Sequence, residues 1–553
     1  MSGRTARRAL GRTTVHRGRS AIRLWGWLTC LVLLAACSPR PLPAAALDAG
    51  RDAGLAPDAD AADAGAKVEV GPPDAGSDAG ADAGLAPDAG AADAGSEVHA
   101  GVPDAGSDAG SCPVLTAAPD VDPWAVRLPS AGFGGTVVQT SGGHTDVFLK
   151  SPGPQADYTR VGVRLDWGGT IVFWGLSANA ASNTIDANDT GREVQIALCD
   201  PQRNRQSCAF DASCLTSTAS CGNSITYLGW DPVQGGDECD RGATATWSVV
   251  GDALRVEVTP VQWNPDWDAP DCRTSVCSGA ARPAQVRYAM ELRFVNDLVV
   301  ELTLEVQSQE TLDHALTAQE FPTLYVSHGG GGPDLPVLLD AAGQTIAIDQ
   351  PANDGFTMKN FASAAPWVSF QNAARDYGVG LGMDQGVSAF QGWAGDGATA
   401  PYFHNVRARL AFGLAHGATV RGRAYLALGS FDTIASTLAS VFAHRPPFGW
   451  VDAPAAGSVA RGASVPVAGW VLAPVPVSSV EVEVDGRLAA TLPVSAARPD
   501  VCAVYPAYAG CPAVGFSGAV STAGLDGCPH LLRVVAIGPD GARSVLGERL
   551  IRP

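Results

Sequence analysis

Residues 285–306 read QVRYAMELRFVNDLVVELTLEV, and this stretch alternates between hydrophobic and polar residues. The hydrophobic residues of its first half recur at every second position: Val286, Tyr288, Met290, Leu292 and Phe294. Side chains of an extended strand point alternately to its two faces, so these five would share one face. Asn296 and Asp297 interrupt the pattern, and residues 298–306 resume it. The stretch therefore predicts a β-hairpin.

The same alternation recurs through residues 112–446. It predicts a second hairpin at 245–250 and 253–261, and strands at 161–167, 171–176, 194–198, 323–327, 377–381 and 406–412. The only convincing helix in this region is short, at 433–442. Many strands with few helices predict a mainly β fold, here a large antiparallel super-sandwich.

Residues 447–553 predict a second, smaller sandwich, because short alternating stretches are separated by turn residues. Within it, residues 498–517 read RPDVCAVYPAYAGCPAVGFS and resemble a bacterial Ig-like module found on secreted hydrolases and surface proteins. The resemblance implies a spacer or adhesion unit. We expect Cys502 and Cys511 to close this loop as a disulfide, which leaves Cys528 as the favoured odd thiol.

The amino terminus predicts the compartment. Residues 1–23 contain seven arginines and no acidic residue, and residues 24–37 read LWGWLTCLVLLAAC. A basic segment followed by a short apolar one predicts a signal peptide, over residues 1–36. Residues 34–37 resemble a bacterial lipobox, which implies lipidation of Cys37 and a membrane anchor in the cell envelope. Ser38 favours the outer membrane. An ordinary signal peptide is the alternative.

Residues 37–111 predict a lipid-anchored, disordered tether. Of the 74 residues from 38 to 111, 55 are Ala, Asp, Gly or Pro, and residues 55–80 match residues 85–110 at 20 of 26 positions. Each copy contains too few apolar residues to offset the entropy cost of ordering, which argues against a solenoid.

The charge of the chain excludes one class of partner, and its cysteine content predicts disulfides. Without the leader the chain carries 30 basic and 56 acidic residues, a net charge of −26, so we exclude nucleic acid as a partner. Eleven cysteines remain after Cys30 of the leader and Cys37 are set aside, and in an exported protein most of them should be paired. Because eleven is an odd number, at least one of these thiols has no partner within the chain.

Common catalytic motifs are missing from the sequence, including the nucleophile elbow, the P-loop and the zinc-binding His-Glu-x-x-His helix. Residues 328–332 (HGGGG) resemble an esterase oxyanion loop but are better explained as a turn. Residues 186–191 imitate the first half of a Ca²⁺ loop, although Ala197 stands where a Glu ligand is required. We expect no cofactor, with an isolated Ca²⁺ site left open.

Three polar clusters carry the functional prediction. They are Asp189, Arg192, Glu193 and Gln195; Trp230, Asp231, Gln234 and Asp237; and Gln319, Glu320, Tyr325 and His328. In this order they resemble exported β-sandwich proteins related to galactose mutarotase and other carbohydrate-active super-sandwiches. The resemblance implies a polysaccharide ligand, and an enzyme of the glycoside hydrolase, polysaccharide lyase or epimerase type if the protein is catalytic.

Within that resemblance, Glu320 is the candidate base and His328 the candidate acid. Substrate would be bound by Asp189, Arg192, Trp230, Gln234 and Asp237. We expect Glu320 to lie in a solvent-reachable cleft with Arg192 and the loop at 230–237. The competing interpretation is a non-catalytic structural or adhesive surface protein, in which these side chains fill the core or pair internally.

Overall fold

Strands make up most of the regular structure in the computed structural model. It describes residues 112–553 except 154–157, 188–192, 200–226, 230–241, 262–282, 310–312, 329–331, 353–355, 396–401 and 539–540. Within that part of the chain, the large sandwich contains β1 (Thr136–Ser141), β2 (His144–Lys150), β3 (Thr159–Arg164), β4 (Thr170–Leu176), β5 (Val194–Cys199), β6 (Tyr227–Gly229), β7 (Thr246–Val250), β8 (Ala253–Val258), β9 (Val286–Asn296), β10 (Val299–Ser308), β11 (His314–Val326), β12 (Val337–Asp340), β13 (Gln350–Pro351), β14 (Phe356–Ala362), β15 (Trp367–Gln371), β16 (Gly378–Met383), β17 (Ala389–Gly395), β18 (Phe403–Ala408), β19 (Leu410–Leu414) and β20 (Thr419–Gly429).

The remaining elements follow in sequence. They are helix α1 (Phe431–His444), β21 (Phe448–Ala453), β22 (Val459–Arg461), β23 (Ser464–Leu472), β24 (Ser479–Val484), β25 (Arg487–Ala496), helix α2 (Pro499–Val504), β26 (Gly515–Ser521), β27 (His530–Ile537) and β28 (Arg543–Arg552). The prediction of a mainly β protein with antiparallel sheets is confirmed. No helix in the described residues is long and apolar enough to cross a membrane.

The hairpin predicted at 285–306 is confirmed as β9 and β10. The two strands pair antiparallel, with Leu292 opposite Leu302 and Met290 opposite Leu304. All four side chains are buried in the main hydrophobic core. The period-two pattern was therefore sufficient to place this pair of strands and the face that they bury.

Two sheets enclose that core. The first has twelve strands in the order β1-β2-β3-β4-β5-β11-β18-β17-β14-β13, with β6 on β5 and β19 on β11; the second has eight, in the order β12-β15-β16-β20-β10-β9-β8-β7. Val161 and Leu324 of the 12-stranded sheet join Leu292 and Leu426 of the 8-stranded sheet in one hydrophobic cluster. The arrangement is an antiparallel sandwich, as expected from the sequence.

The strands after residue 447 form a third sheet. Its order is β21-β23-β26-β25-β24-β27-β28-β22, in which β22 and β28 run parallel. The sheet closes over a core of its own, to which Val467, Val482 and Val534 contribute from β23, β24 and β27. An Ig-like fold for this part stays a prediction.

A strap, residues 112–128, runs between the two parts that the three sheets form. Its first residue, Cys112, is bonded to Cys528. Farther along, Trp124 packs against Phe448 and Tyr505 of the carboxyl-terminal part, and Leu128 packs with α1 against the 8-stranded sheet. The strap therefore contacts both parts.

The disulfides confirm one prediction and correct another. Cys502 and Cys511 are bonded, as expected for a short loop. Cys528, predicted to be the odd thiol, is instead bonded to Cys112 across 416 residues. Separation in sequence gave no indication of that pairing, because only the folded strap brings the two cysteines together. Cys37 and the predicted tether lie outside the described residues.

Candidate functional site

One side of the 12-stranded sheet carries polar side chains where the other side carries the core. In β5, β11 and β18, Val194, Leu324 and Val406 point into the core. The alternate positions therefore point away from it, and three of them, Gln195, Thr323 and Arg407, are directly opposite one another in register. We call the following set the polar face: Gln195, Glu320, Thr323, Gln391, Asn405 and Arg407.

An irregularity in β11 brings Glu320 onto this face. The pairing of β11 with β5 shifts register between Glu320 and Thr323, so that both side chains reach the same side. Phe321, between them, points into the core and packs edge-on against Phe412. A regular strand would have placed Glu320 and Thr323 on opposite sides.

Glu320 begins a chain of hydrogen bonds across three strands. Its Oε1 accepts from Nη1 of Arg407. Arg407 also donates from Nε and Nη2 to Oε1 of Gln391, at 3.0 and 2.6 Å, and that oxygen accepts from Trp393 Nε1 at 2.7 Å. The network fixes the position of the carboxylate and of the guanidinium.

The network is incomplete on one side. Glu320 Oε2, Thr323 Oγ1 and Asn405 Oδ1 are buried and have no hydrogen-bond partner within the described part of the chain. A buried polar atom without a partner costs about 1–3 kcal/mol, and such atoms are uncommon in folded proteins. Each of these three atoms has an unused capacity for a hydrogen bond, and all three are covered by the fold.

Aromatic rings adjoin the polar face. Tyr325, Phe356, Trp393 and Phe403 form a buried cluster, with ring centroids of Tyr325 and Phe403 5.4 Å apart. Tyr325 and Trp393 each lie opposite Asn405 in the sheet. Flat apolar rings next to charged and amide groups are the combination that a saccharide site requires.

Burial corrects the prediction made for Glu320. The residue was expected to be reachable by solvent, but it is only 2% exposed and forms an ion pair with Arg407, which is 6% exposed. Arg407, 87 positions away, was not identified as the partner from the pattern of residues. Its catalytic role stays a prediction, and any ligand has to reach a carboxylate that the fold covers.

Geometry also separates Glu320 from His328. The two residues are eight positions apart on and just beyond β11, which corresponds to roughly 25 Å along an extended strand. An acid and a base that act on one reacting centre both have to lie within hydrogen-bond reach of it. The assignment of Glu320 as base and His328 as acid stays a prediction.

His328 belongs to a different group of side chains. Its Nε2 hydrogen-bonds to the carbonyl oxygen of Tyr402, and its ring lies edge-on to Tyr402 and 6.2 Å from His404. Burial, and secondarily the neighbouring His328, lowers the pKa of His404 to about 4. The neutral form of His404 is therefore the form present at neutral pH.

Several predicted residues lie outside the described part of the chain: Asp189, Arg192, Trp230, Gln234 and Asp237. Most of residues 186–191, the segment that resembles half of a Ca²⁺ loop, also lies outside the described part of the chain. Its first residue, Asp186, is described and buried. No group of three metal-binding side chains occurs among the residues that the structure does describe.

Sequence reasoning missed Arg407, Gln391 and Asn405. A usable signal was present, since residues 403–408 read FHNVRA and residues 391–393 read QGW. Polar residues at alternate positions of a strand whose other positions are apolar indicate a polar side of a sheet. The sequence pattern does not show that β18 lies beside β11 and that β17 lies beside β18.

Comparisons with known proteins place the chain in no family. No protein-family model matches it. A vacuolar protein sorting-associated protein 41 homolog of Arabidopsis thaliana is 31% identical over 97 residues, which are 17% of this chain. The match spans 10% of that protein's length.

Among solved structures, similar chains include a protein from Klebsiella pneumoniae described as an aldose 1-epimerase, with 12% identity, a TM-score of 0.31, and coverage of 55% of this chain and 86% of that one. A polysaccharide lyase has 7% identity and a TM-score of 0.29, covering 72% and 47%. A protein from Synechocystis sp. PCC 6803 has 10% identity and a TM-score of 0.30, covering 50% and 94%. These scores are too low to support a statement about the activity of this chain.

Proposed function

We propose that this protein is a cell-envelope lipoprotein whose large sandwich binds or processes an extracellular polysaccharide at the polar face. The observation that carries the proposal is the carboxylate of Glu320. One of its oxygens is bound by Arg407, and the other, Oε2, has no partner within the described residues. Rings of Tyr325 and Trp393 lie on the same side of the sheet.

The chemistry of these groups suits a sugar. Glu320 Oε2 can accept a hydrogen bond from a hydroxyl group, or a proton if the protein is catalytic. Thr323 Oγ1 and Asn405 Oδ1 add two further positions for hydroxyl groups. Arg407 is a positioning residue, because it holds Glu320 and is itself fixed by Gln391.

The anchor is proposed from the sequence. A basic leader and an apolar segment end at Cys37, and an acidic stretch of 74 residues follows. Lipidation of Cys37 would attach the protein to a membrane, with the outer membrane favoured by Ser38. Labelled fatty acid should be incorporated into the wild type and lost in Cys37→Ala, and label retained by the variant would contradict the proposal.

The binding proposal is tested with a glycan array on the purified protein, followed by titration calorimetry. Glu320→Gln keeps the shape of the side chain and its hydrogen bond from Arg407, but it cannot accept a proton. If Glu320 is a base, turnover should be lost while affinity changes by a few fold. If the protein only binds, affinity should fall and no turnover should be detected for the wild type.

A matched control is Glu257→Gln. Glu257 also pairs with arginines, Arg255 and Arg287, but it lies on the 8-stranded sheet. We expect it to leave both affinity and turnover unchanged. The burial of Glu320 favours the second candidate, a structural or adhesive surface protein, and absence of any glycan ligand for the wild type would establish that candidate over the first.

A further inference from the structure

Two cationic side chains lie next to each other on the 12-stranded sheet, away from the residues discussed so far. Lys150 of β2 and Arg160 of β3 are directly opposite in register. Their chain neighbours Leu149 and Val161 are in the main core, so both cations are on the side of the sheet that carries the polar face. Both are partly exposed.

Like charges directly opposite in a sheet are destabilising. Within the described residues, neither Lys150 nor Arg160 has a carboxylate within ion-pair distance. The chain as a whole has a net charge of −19, so acidic residues are plentiful. By contrast, Arg164 of the same strand β3 donates two hydrogen bonds to Asp146 of β2, at 2.8 and 3.1 Å.

The guanidinium of Arg160 is held in place by aromatic rings. Its central carbon lies 4.3 Å from the ring centroid of Phe148 and 4.6 Å from that of Phe173. Gly162 permits this placement, because a Cβ there would come within 2.5 Å of the Phe148 ring. Stacking fixes the plane of the guanidinium at little further entropy cost when a ligand binds.

The Lys150 ammonium is positioned in a similar way. It lies 5.6 Å from the ring centroid of Tyr158. Burial lowers the pKa of Arg160 from its ordinary value, but arginine remains charged at neutral pH. The two side chains therefore present a planar fork and a point charge beside each other, which is a combination suited to an oxyanion.

We infer that Lys150 and Arg160 bind the anionic group of an acidic saccharide, a carboxylate or a sulfate ester, on the same side of the sheet as the polar face. This inference rests on the proposed function and specifies the class of polysaccharide. Strands β4 and β5 separate β3 from β11, which is three strand spacings or roughly 14 Å sideways. The register of these strands also displaces Arg160 from Glu320 by about seven residues, roughly 23 Å, along the strand direction. Only a polysaccharide chain of several sugar units can contact both places.

The test uses titration calorimetry with three probes: oligogalacturonate, a sulfated oligosaccharide and a neutral oligosaccharide of the same length. We expect one of the acidic probes to bind more tightly than the neutral one, and its affinity to fall as salt is raised. Arg160→Gln should weaken that binding about tenfold or more, and Lys150→Gln should do so to a smaller extent. Neither variant should change the affinity for the neutral probe.

Arg164→Gln is the matched control, since it removes a cation of the same strand that is already paired with Asp146. It should leave binding of the acidic probe unchanged. Lys150→Gln, which leaves the contacts of Arg160 with Phe148 and Phe173 in place, covers the case in which Arg160→Gln does not fold. The acidic probe that binds identifies the anionic group as carboxylate or sulfate.

The outcomes separate the two proposals. Equal affinity of wild type and both variants for acidic probes, or binding of neutral probes alone, would overturn this inference and leave the proposed function standing. Failure of all three probes, together with an empty glycan array, would overturn the proposed function itself.

Discussion

Among the described residues, the buried carboxylates of Asp384 and Glu320 both pair with arginine, and they differ in how completely the carboxylate is bound. Asp384 accepts from Tyr425 and from Arg445 at Oδ1, both at 3.0 Å, and from Tyr508 at Oδ2, at 2.6 Å. Glu320 is bound at Oε1 alone within the described residues.

Location explains part of this difference. Asp384 follows β16 in the large sandwich, whereas Tyr508 follows α2 in the carboxyl-terminal part. The Asp384 cluster therefore joins the two parts, and a carboxylate bound at both oxygens stabilises one arrangement. The Glu320 cluster lies on a single sheet, and one oxygen of its carboxylate has no partner within the described residues. We interpret the carboxylate bound at both oxygens as structural and the unfilled position on Glu320 as one for a ligand.

The largest expected effect tests the structural half of this comparison. Asp384→Asn removes a buried charge that faces Arg445 and Arg423, and it should lower the free energy of unfolding by about 3–5 kcal/mol. Urea denaturation followed by circular dichroism measures the change. Asp349→Asn, which breaks an exposed pair with Lys359, is the control and should have little effect. A small effect for Asp384→Asn would show that the cluster does not hold the two parts together.

The second prediction concerns the disulfide that fixes the strap to the carboxyl-terminal part. Replacing Cys112 and Cys528 by serine should lower the free energy of unfolding by about 2–4 kcal/mol, because the bond closes a very long loop of the unfolded chain. Thermal unfolding under non-reducing conditions measures the loss. Serine at Cys502 and Cys511, which close a loop of eight residues, should cost less. If serine at Cys502 and Cys511 costs more than serine at Cys112 and Cys528, then packing in the native state, and not loop closure in the unfolded state, determines how much each disulfide stabilises the protein.

The third prediction concerns the pH dependence of stability that His404 causes. This residue lies on β18, as Arg407 does, but on the opposite side of the strand. Burial lowers the pKa of His404 to about 4, below the ordinary value near 6.5. Between these two values the unfolded chain binds more protons than the folded one, so stability falls as the pH is lowered through that window. This residue should account for a loss of about 2–3 kcal/mol between pH 7 and pH 4.

The control for that measurement is His404→Gln, which cannot titrate. Its free energy of unfolding should change less between pH 7 and pH 4 than that of the wild type. Equal pH dependence of the two proteins would assign the acid sensitivity to other groups, the buried carboxylates of the two clusters among them.

The smallest effect on stability is expected for Glu320→Gln. The amide oxygen still accepts from Arg407, which Gln391 also holds, but the charge of the acceptor is lost, so the free energy of unfolding should fall by about 1–2 kcal/mol. Saccharide binding or turnover should nevertheless be impaired. If Glu320→Gln destabilises as strongly as Asp384→Asn and leaves binding intact, the two clusters are equivalent and Glu320 is structural.

Local sequence determined where strands and the main helix form. The alternation at 285–306 placed β9 and β10, because the side-chain period of an extended chain is two. Residues 433–442 predicted the helix whose observed bounds are Phe431–His444, and Ser430 caps it by accepting from the amide of Thr433. The disulfide between Cys502 and Cys511 was also predictable, since the two cysteines are close in sequence.

Tertiary structure alone decided which residues meet. Arg407 binds Glu320 across 87 positions, and Cys112 bonds to Cys528 across 416. Periodicity reports the face that a residue occupies, and it does so from the backbone geometry of a single segment. It carries no information about which distant strand lies alongside, so the partners of Glu320 followed from the order of strands in the sheet.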